Sequence, residues 1–175
     1  MTLDRLWAGW RAEYLEGVTG SVPERQTGSV AEPARDECLF CRLRDADDDE
    51  AMVLARNDHA FAVMNAYPYT SGHLMVAPLR HEATLSGLPR DEAATLMALT
   101  QDATAALDAA YRPEGMNVGV NIGRAGGAGV PGHVHVHALP RWNGDTNFMT
   151  SVAEARVLPE SLRTSYDKLR AAWPA

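Results

Sequence analysis

Three features of the sequence predict an α+β fold in which one antiparallel sheet of about five strands carries a long helix across one face and a second helix at the C-terminus. Five short segments are apolar, continuously or in alternation, over the length of a strand. One much longer stretch, Arg90 to Arg112, repeats its apolar residues at steps of three and four. The chain has 175 residues, 46% of them apolar and 22% charged, which suits one domain with a sizeable core.

Residues 1–17 read as an aromatic-rich helix or arm, because Leu6, Trp7, Trp10 and Tyr14 recur near helical spacing. Residues 18–36, rich in Gly, Ser, Pro and Glu, read as an exposed loop, followed by a "CLFC" turn and an acidic, solvated loop over 44–50. "AMVLARN" and "HAFAVMN" read as two strands joined at an Asn-Asp turn. His59 at that turn is expected to be a surface residue. "YPYTSG" is the next turn and "HLMVAPL" the third strand. The long helix follows Pro89, carries Leu96, Leu99, Ala103, Leu107 and Ala110 on one face, and stops at Pro113 and Gly115. "MNVGVNIG" is a fourth strand, "GRAGGAGVPG" a glycine-rich loop, "HVHVHALP" a fifth strand, and Pro159 to Trp173 the second helix.

The totals exclude several classes. A formal net charge of -7 argues against a general nucleic-acid binder, which needs a basic face to displace counterions. No apolar run reaches the ~20 residues that cross a bilayer, and "MTLDRLWAGWRAEYLEG" lacks the apolar centre of a secretion signal. The expectation is a cytoplasmic protein, with no nucleic-acid or membrane partner. Cys38 and Cys41, three apart in a reducing compartment, favour a metal site or a redox pair over a structural disulfide.

His133, His135 and His137 are half of the six histidines, and they alternate with Val134, Val136 and Ala138. On a strand, alternation places the three imidazoles on one face, with neighbouring Cα atoms roughly 6.6 Å apart, and leaves the other face to pack under the long helix. Such a row serves catalysis or metal binding; the plainer alternative is a chance polar face.

This row, with "CLFC", "FAVMNAYPYTSGHLMVAPLRH", "GMNVGVNIG" and "HVHVHALPRWNGDTNF" in order, resembles the histidine-triad (HIT) superfamily over roughly residues 38–150. The "LWAGWRAEYL" and "PRWNGDTNF" segments resemble a bacterial subgroup that includes diadenosine tetraphosphate phosphorylases. The resemblance implies a single HIT-like domain over 1–175: an N-terminal arm and loop over 1–36, the core over 37–150, and a C-terminal tail or helix over 151–175. It also implies nucleotidyl transfer from an adenine nucleotide or dinucleotide. His135 would attack the α-phosphorus and form a nucleotidyl-histidine. Water or inorganic phosphate would then accept the nucleotidyl group. His137 would donate to a phosphate oxygen, and His73 would orient the catalytic imidazoles. Asn65 matches a ribose-contacting position, and Asn121 a position near phosphate or the leaving group.

Many relatives carry Gly-Gln-Ser or Gly-Gln-Thr before the triad, where this chain has Gly127, Ala128 and Gly129. Backbone N–H groups of that loop would therefore be the phosphate donors there. The resemblance further implies a structural zinc held by Cys38, Cys41, His81 and His133, a closed tetrahedral set with no place for water, and a homodimer. A nucleotide-binding sensor or adaptor with little turnover is the competing reading, and a purely metal-binding regulator ranks below it.

Overall fold

A computed structural model describes residues 38–146 and 158–174. The aromatic arm and the loop expected over 1–36 lie outside the described residues. Among the described residues, three α-helices and one sheet form the body: α1 (Leu39–Asp45), β1 (Val53–Arg56), β2 (Ala60–Met64), β3 (Leu74–Pro78), α2 (Arg90–Tyr111), β4 (Gly115–Val120), β5 (Val136–Arg141) and α3 (Leu162–Ala172).

All neighbouring strands are antiparallel, in the order β1-β2-β3-β5-β4. The first hairpin closes where expected. Asn57 N–H donates to the Ala60 carbonyl, and the Asn57 side chain accepts from the backbone of His59 and Ala60, the local bonding that suits Asn to turns.

Strand alternation sends side chains to two separate cores. Ala60, Ala62, Met64, Leu74, Val76, Val134, Val136 and Ala138 pack against Leu96, Leu99, Ala103 and Leu107 of α2 and against Tyr166 and Leu169 of α3. Phe61, Val63, Met75 and Ala77 face the other way, toward Cys38, Phe40 and Cys41. The 3.6-residue rhythm of α2 and the two-residue rhythm of the histidine segment therefore meet in one core, as the sequence predicts.

Helix α2 ends at Arg112, in the left-handed conformation (φ 44°), directly before Pro113. Ser161 caps α3, its hydroxyl accepting from Thr164 N–H.

Two local expectations change. "CLFC" is not a turn: Cys38 is the N-cap of α1 and Cys41 lies inside it. A helical step of three residues puts both thiols on one side of the chain. The hydrogen-bonded part of β5 begins at Val136 instead of His133, although Val134 N–H still pairs with the Glu82 carbonyl at 2.7 Å. The alternation of faces therefore runs on past the formal strand.

Candidate active site and metal centre

His133, His135 and His137 line the face of the sheet opposite α2, and each ring is fixed by a different partner. Burial holds all three neutral at pH 7: it pushes His133 and His137 down to about 4 and lowers His135 as well. A neutral imidazole carries one proton, so a partner at one nitrogen determines the chemistry of the other.

At His135, Nδ1 lies 2.8 Å from the His133 carbonyl oxygen. A carbonyl only accepts, so Nδ1 carries the proton and Nε2 keeps a lone pair. The residue is 3% exposed, its ring lying between Phe40 at 4.6 Å and His137 at 4.9 Å, centroid to centroid. Among the described residues, Ser71 Oγ is the one buried side-chain polar atom without a hydrogen-bond partner. Nε2 of His135 carries no hydrogen bond among the described residues.

At His137 the logic runs through two rings. Tyr69 backbone N–H donates to Nδ1 of His73 at 3.1 Å, so the His73 proton sits on Nε2. That Nε2 is 3.0 Å from Nδ1 of His137, which must accept, leaving His137 with an Nε2–H donor. Asn65 sits beside the pair, its amide nitrogen 3.4 Å from Nδ1 of His73 and its oxygen accepting from Tyr67 N–H. Gly72 makes the turn before His73: at φ +80°, a Cβ there would lie 2.7 Å from the Tyr111 ring.

At His133, Nε2 donates to the Pro78 carbonyl at 2.9 Å, leaving the Nδ1 lone pair directed at Cys38 Sγ (3.3 Å) and Cys41 Sγ (3.8 Å). His81 Nδ1 lies 3.4 Å from Cys41 Sγ. The four ligand atoms are all within 4.8 Å of one another. Around tetrahedral zinc, bonds of about 2.3 Å to sulfur and about 2.0–2.1 Å to nitrogen separate ligand atoms by roughly 3.3–3.8 Å. The donor set and its spacing fit that ion. The set is closed, so an ion held there would brace the fold.

The structure thus brings His73, His135, His137 and Asn65 together, and separately assembles Cys38, Cys41, His81 and His133. Asn121 follows β4 directly. In the glycine-rich loop, Gly127 N–H bonds the Arg124 carbonyl and Ala128 N–H the Gly123 carbonyl, closing a 3-10 turn capped by Gly127 at φ 85°. In this conformation those two donors are engaged within the loop.

His59, expected at the surface, is half-buried and lines a cleft of about 640 Å³ with Arg44, Leu79, Arg80, His81 and Glu92. Phe40, Tyr69 and the Pro78 carbonyl also belong to the site, and sequence reasoning missed them. The aromatic Phe40 inside the Cys38–Cys41 pair was the one available signal.

The HIT domain profile matches residues 47–144. A Mycobacterium tuberculosis protein named AP-4-A phosphorylase is 40% identical over 98% of this chain and 85% of its own length. Among solved structures, a zinc-bound histidine triad family protein from Mycobacterium smegmatis is similar with a TM-score of 0.64 and 29% identity, covering 79% of this chain and 94% of that one. A HIT-like protein from Bartonella henselae, at 21% identity, shares the fold with a TM-score of 0.62 over 78% of this chain and 97% of its own.

Proposed function

This chain belongs to the HIT domain family, and from that premise we propose that it is a nucleotidyl transferase that cleaves adenine dinucleotides such as diadenosine tetraphosphate, passing the AMP group to inorganic phosphate. The likeness to the mycobacterial phosphorylase supports the substrate class and the choice of phosphate as acceptor. The observation that carries the chemistry is the pair of opposite tautomers: a bare Nε2 on His135 beside an Nε2–H on His137.

In this reading, His135 Nε2 attacks the α-phosphorus, the P–O bond to the polyphosphate breaks, and ATP departs with the electron pair. His137 Nε2–H hydrogen-bonds a non-bridging oxygen as charge builds on it. Phosphate then attacks the adenylyl-histidine, breaking the P–N bond to give ADP and restoring the lone pair on His135. Water in place of phosphate gives AMP. His73 keeps His137 in its donor tautomer, and Asn65 is placed for the ribose hydroxyls. Asn121 is assigned near phosphate, with Gly129 N–H as a further donor. Cys38, Cys41, His81 and His133 hold a structural zinc ion.

Two further parts of the proposal concern assembly and location. β4 pairs with β5 along one edge and is exposed along much of its length, with Val118 at 48% and Ile122, just past its end, at 46%. Two copies meeting along β4 would cover that edge. Buried cysteines at 38 and 41 that form no disulfide suit the cytoplasm. No helix of the described residues is long and apolar enough to cross a membrane.

The test is product analysis by chromatography with diadenosine tetraphosphate, with and without inorganic phosphate, and peptide mapping of the trapped adduct. ATP and ADP in the presence of phosphate, with AMP attached to the peptide carrying His135, are expected. ATP and AMP alone under both conditions would replace phosphorolysis with hydrolysis; an adduct on any other residue would end the assignment of the nucleophile.

A further inference from the structure

The ring of Phe40 joins the two halves of the site. It lies 5.2 Å from the His133 ring and 4.6 Å from the His135 ring, with Phe61 edge-on at 6.4 Å behind it. Phe40 is 1% exposed, and its neighbours in sequence are not incidental. Cys38 and Cys41 bracket it, and both thiols approach His133.

Helix α1 is only seven residues long and has no side-chain N-cap bond, and a helix of that length does not hold itself together in water. What secures it is tertiary: two thiols, one aromatic ring between them, and at its far end Arg44 donating to the Leu79 carbonyl at 2.9 Å. The His135 ring, for its part, makes one hydrogen bond among the described residues, at Nδ1. One bond leaves an imidazole free to pivot about the N–H···O axis. The Phe40 face, tilted 34°, and the His137 edge, at 68°, close off that motion from two sides.

We propose that Phe40 is a positioning residue through which the Cys38, Cys41, His81 and His133 cluster controls the alignment of His135: the cluster anchors α1, α1 seats the ring, and the ring holds Nε2 toward the substrate. The proposal rests on His135 being the nucleophile. Zinc then matters to turnover although it touches no reacting atom.

Zinc-loaded wild type, Phe40→Leu and Phe40→Tyr of the full chain are compared, each before and after removal of the metal by a chelator. Three readouts are taken: metal content, steady-state kinetics, and the ¹⁵N resonances of the His135 ring. Phe40→Leu keeps an apolar side chain, smaller than the original, and loses the ring. It is expected to bind zinc normally and to lose roughly tenfold in kcat with KM within about twofold, the signature of misplacement rather than weakened binding. Its His135 nitrogen signals move from one tautomer toward an exchange average. Phe40→Tyr restores both. Stripping zinc from the wild type moves the same His135 signals and costs a similar factor, and stripping it from Phe40→Leu costs little more, because both changes break one chain of contacts.

Losses that multiply, an unchanged kcat in Phe40→Leu, or a Phe40→Leu protein that cannot hold zinc would each overturn the proposal. So would His135 signals in the wild type that ignore zinc removal, a readout that stands even where a variant folds poorly. Failure of the underlying nucleophile assignment shows separately, as a His135→Ala protein that still turns over.

Discussion

His133 and His137 sit four residues apart on one face of one segment, yet they work in opposite surroundings. His133 is fully buried, gives its Nε2 proton to the Pro78 carbonyl, and turns a lone pair on two thiols. His137 is half-buried, accepts a hydrogen bond at Nδ1 from His73 Nε2–H, and so carries its own proton on Nε2. Between them, His135 has its Nδ1 proton engaged and its Nε2 bare. The three side chains are chemically identical; a single partner on the far nitrogen of each suits one to the proposed metal ligation, one to the proposed nucleophilic attack and one to hydrogen-bond donation. The difference between the cluster end and the catalytic end is therefore written in carbonyl and N–H positions, not in residue types.

The sharpest way to break this division is to remove the middle ring. His135→Ala is expected to lower kcat by at least ~1000-fold, the scale of losing a nucleophile, while zinc content by elemental analysis stays unchanged. A simultaneous loss of metal would show that the two ends are one site. The complementary change, Cys41→Ser, is expected to remove the metal and to lower stability by about 4 kcal/mol where free zinc exceeds its Kd a thousandfold. Activity in that variant falls far less than in His135→Ala. Denaturant titration with and without zinc reads the first effect, and the turnover rate the second.

Much of this was legible in the sequence where periodicity carries the information. Val134, Val136 and Ala138 had to face away from the histidines, and Leu96, Leu99, Ala103 and Leu107 had to meet them. What stayed hidden depends on chain closure. Nothing local in "CLFC" says that Phe40 will lie on His135, since Phe40 and His135 are brought together only when α1 folds across the far side of the sheet. Tyr69 matters through its backbone N–H, a group every residue except proline possesses, so no side-chain pattern could announce it. The glycine-rich loop illustrates the same point: glycines permit N–H groups to face a ligand, but where those groups point is set by the folded loop, and in this conformation Gly127 and Ala128 use theirs within it. The ligand role of His81 entered through family resemblance, and the fold then set it 3.4 Å from Cys41.

A smaller effect tests the support beneath the catalytic end alone. Gly72→Ala forces a Cβ to within 2.7 Å of Tyr111 and 3.2 Å of Leu107 at a positive φ. The expected cost is about 1–3 kcal/mol in thermal or denaturant unfolding. Because Gly72 precedes His73, kcat should fall while zinc stays bound. A variant equally impaired in metal binding would mean that the two ends do not answer to separate scaffolds.

The mildest test uses pH. Burial, reinforced by the neighbouring His135, holds His137 near 4 in the folded protein, against 6.5 for a free imidazole. The groups facing it are His73 just before β3, His135 on its own segment and the Tyr69 ring at 6.0 Å. Above pH 6.5 both folded and unfolded chains keep His137 neutral, and it adds no pH dependence. Between 6.5 and about 4 the unfolded chain binds the proton and the folded one does not, so stability drops as pH falls through that window and levels off below it. His137→Gln removes this contribution while leaving a side chain that can still accept at the same place. The difference in unfolding free energy between wild type and variant should therefore be flat above pH 6.5 and shift steadily against the wild type as the pH is lowered toward 4, at fixed zinc. A difference that stays flat across the window would mean that His137 is protonated in the folded state, where its Nδ1 could no longer accept from His73, and the donor tautomer assigned to the catalytic end would have to be redrawn.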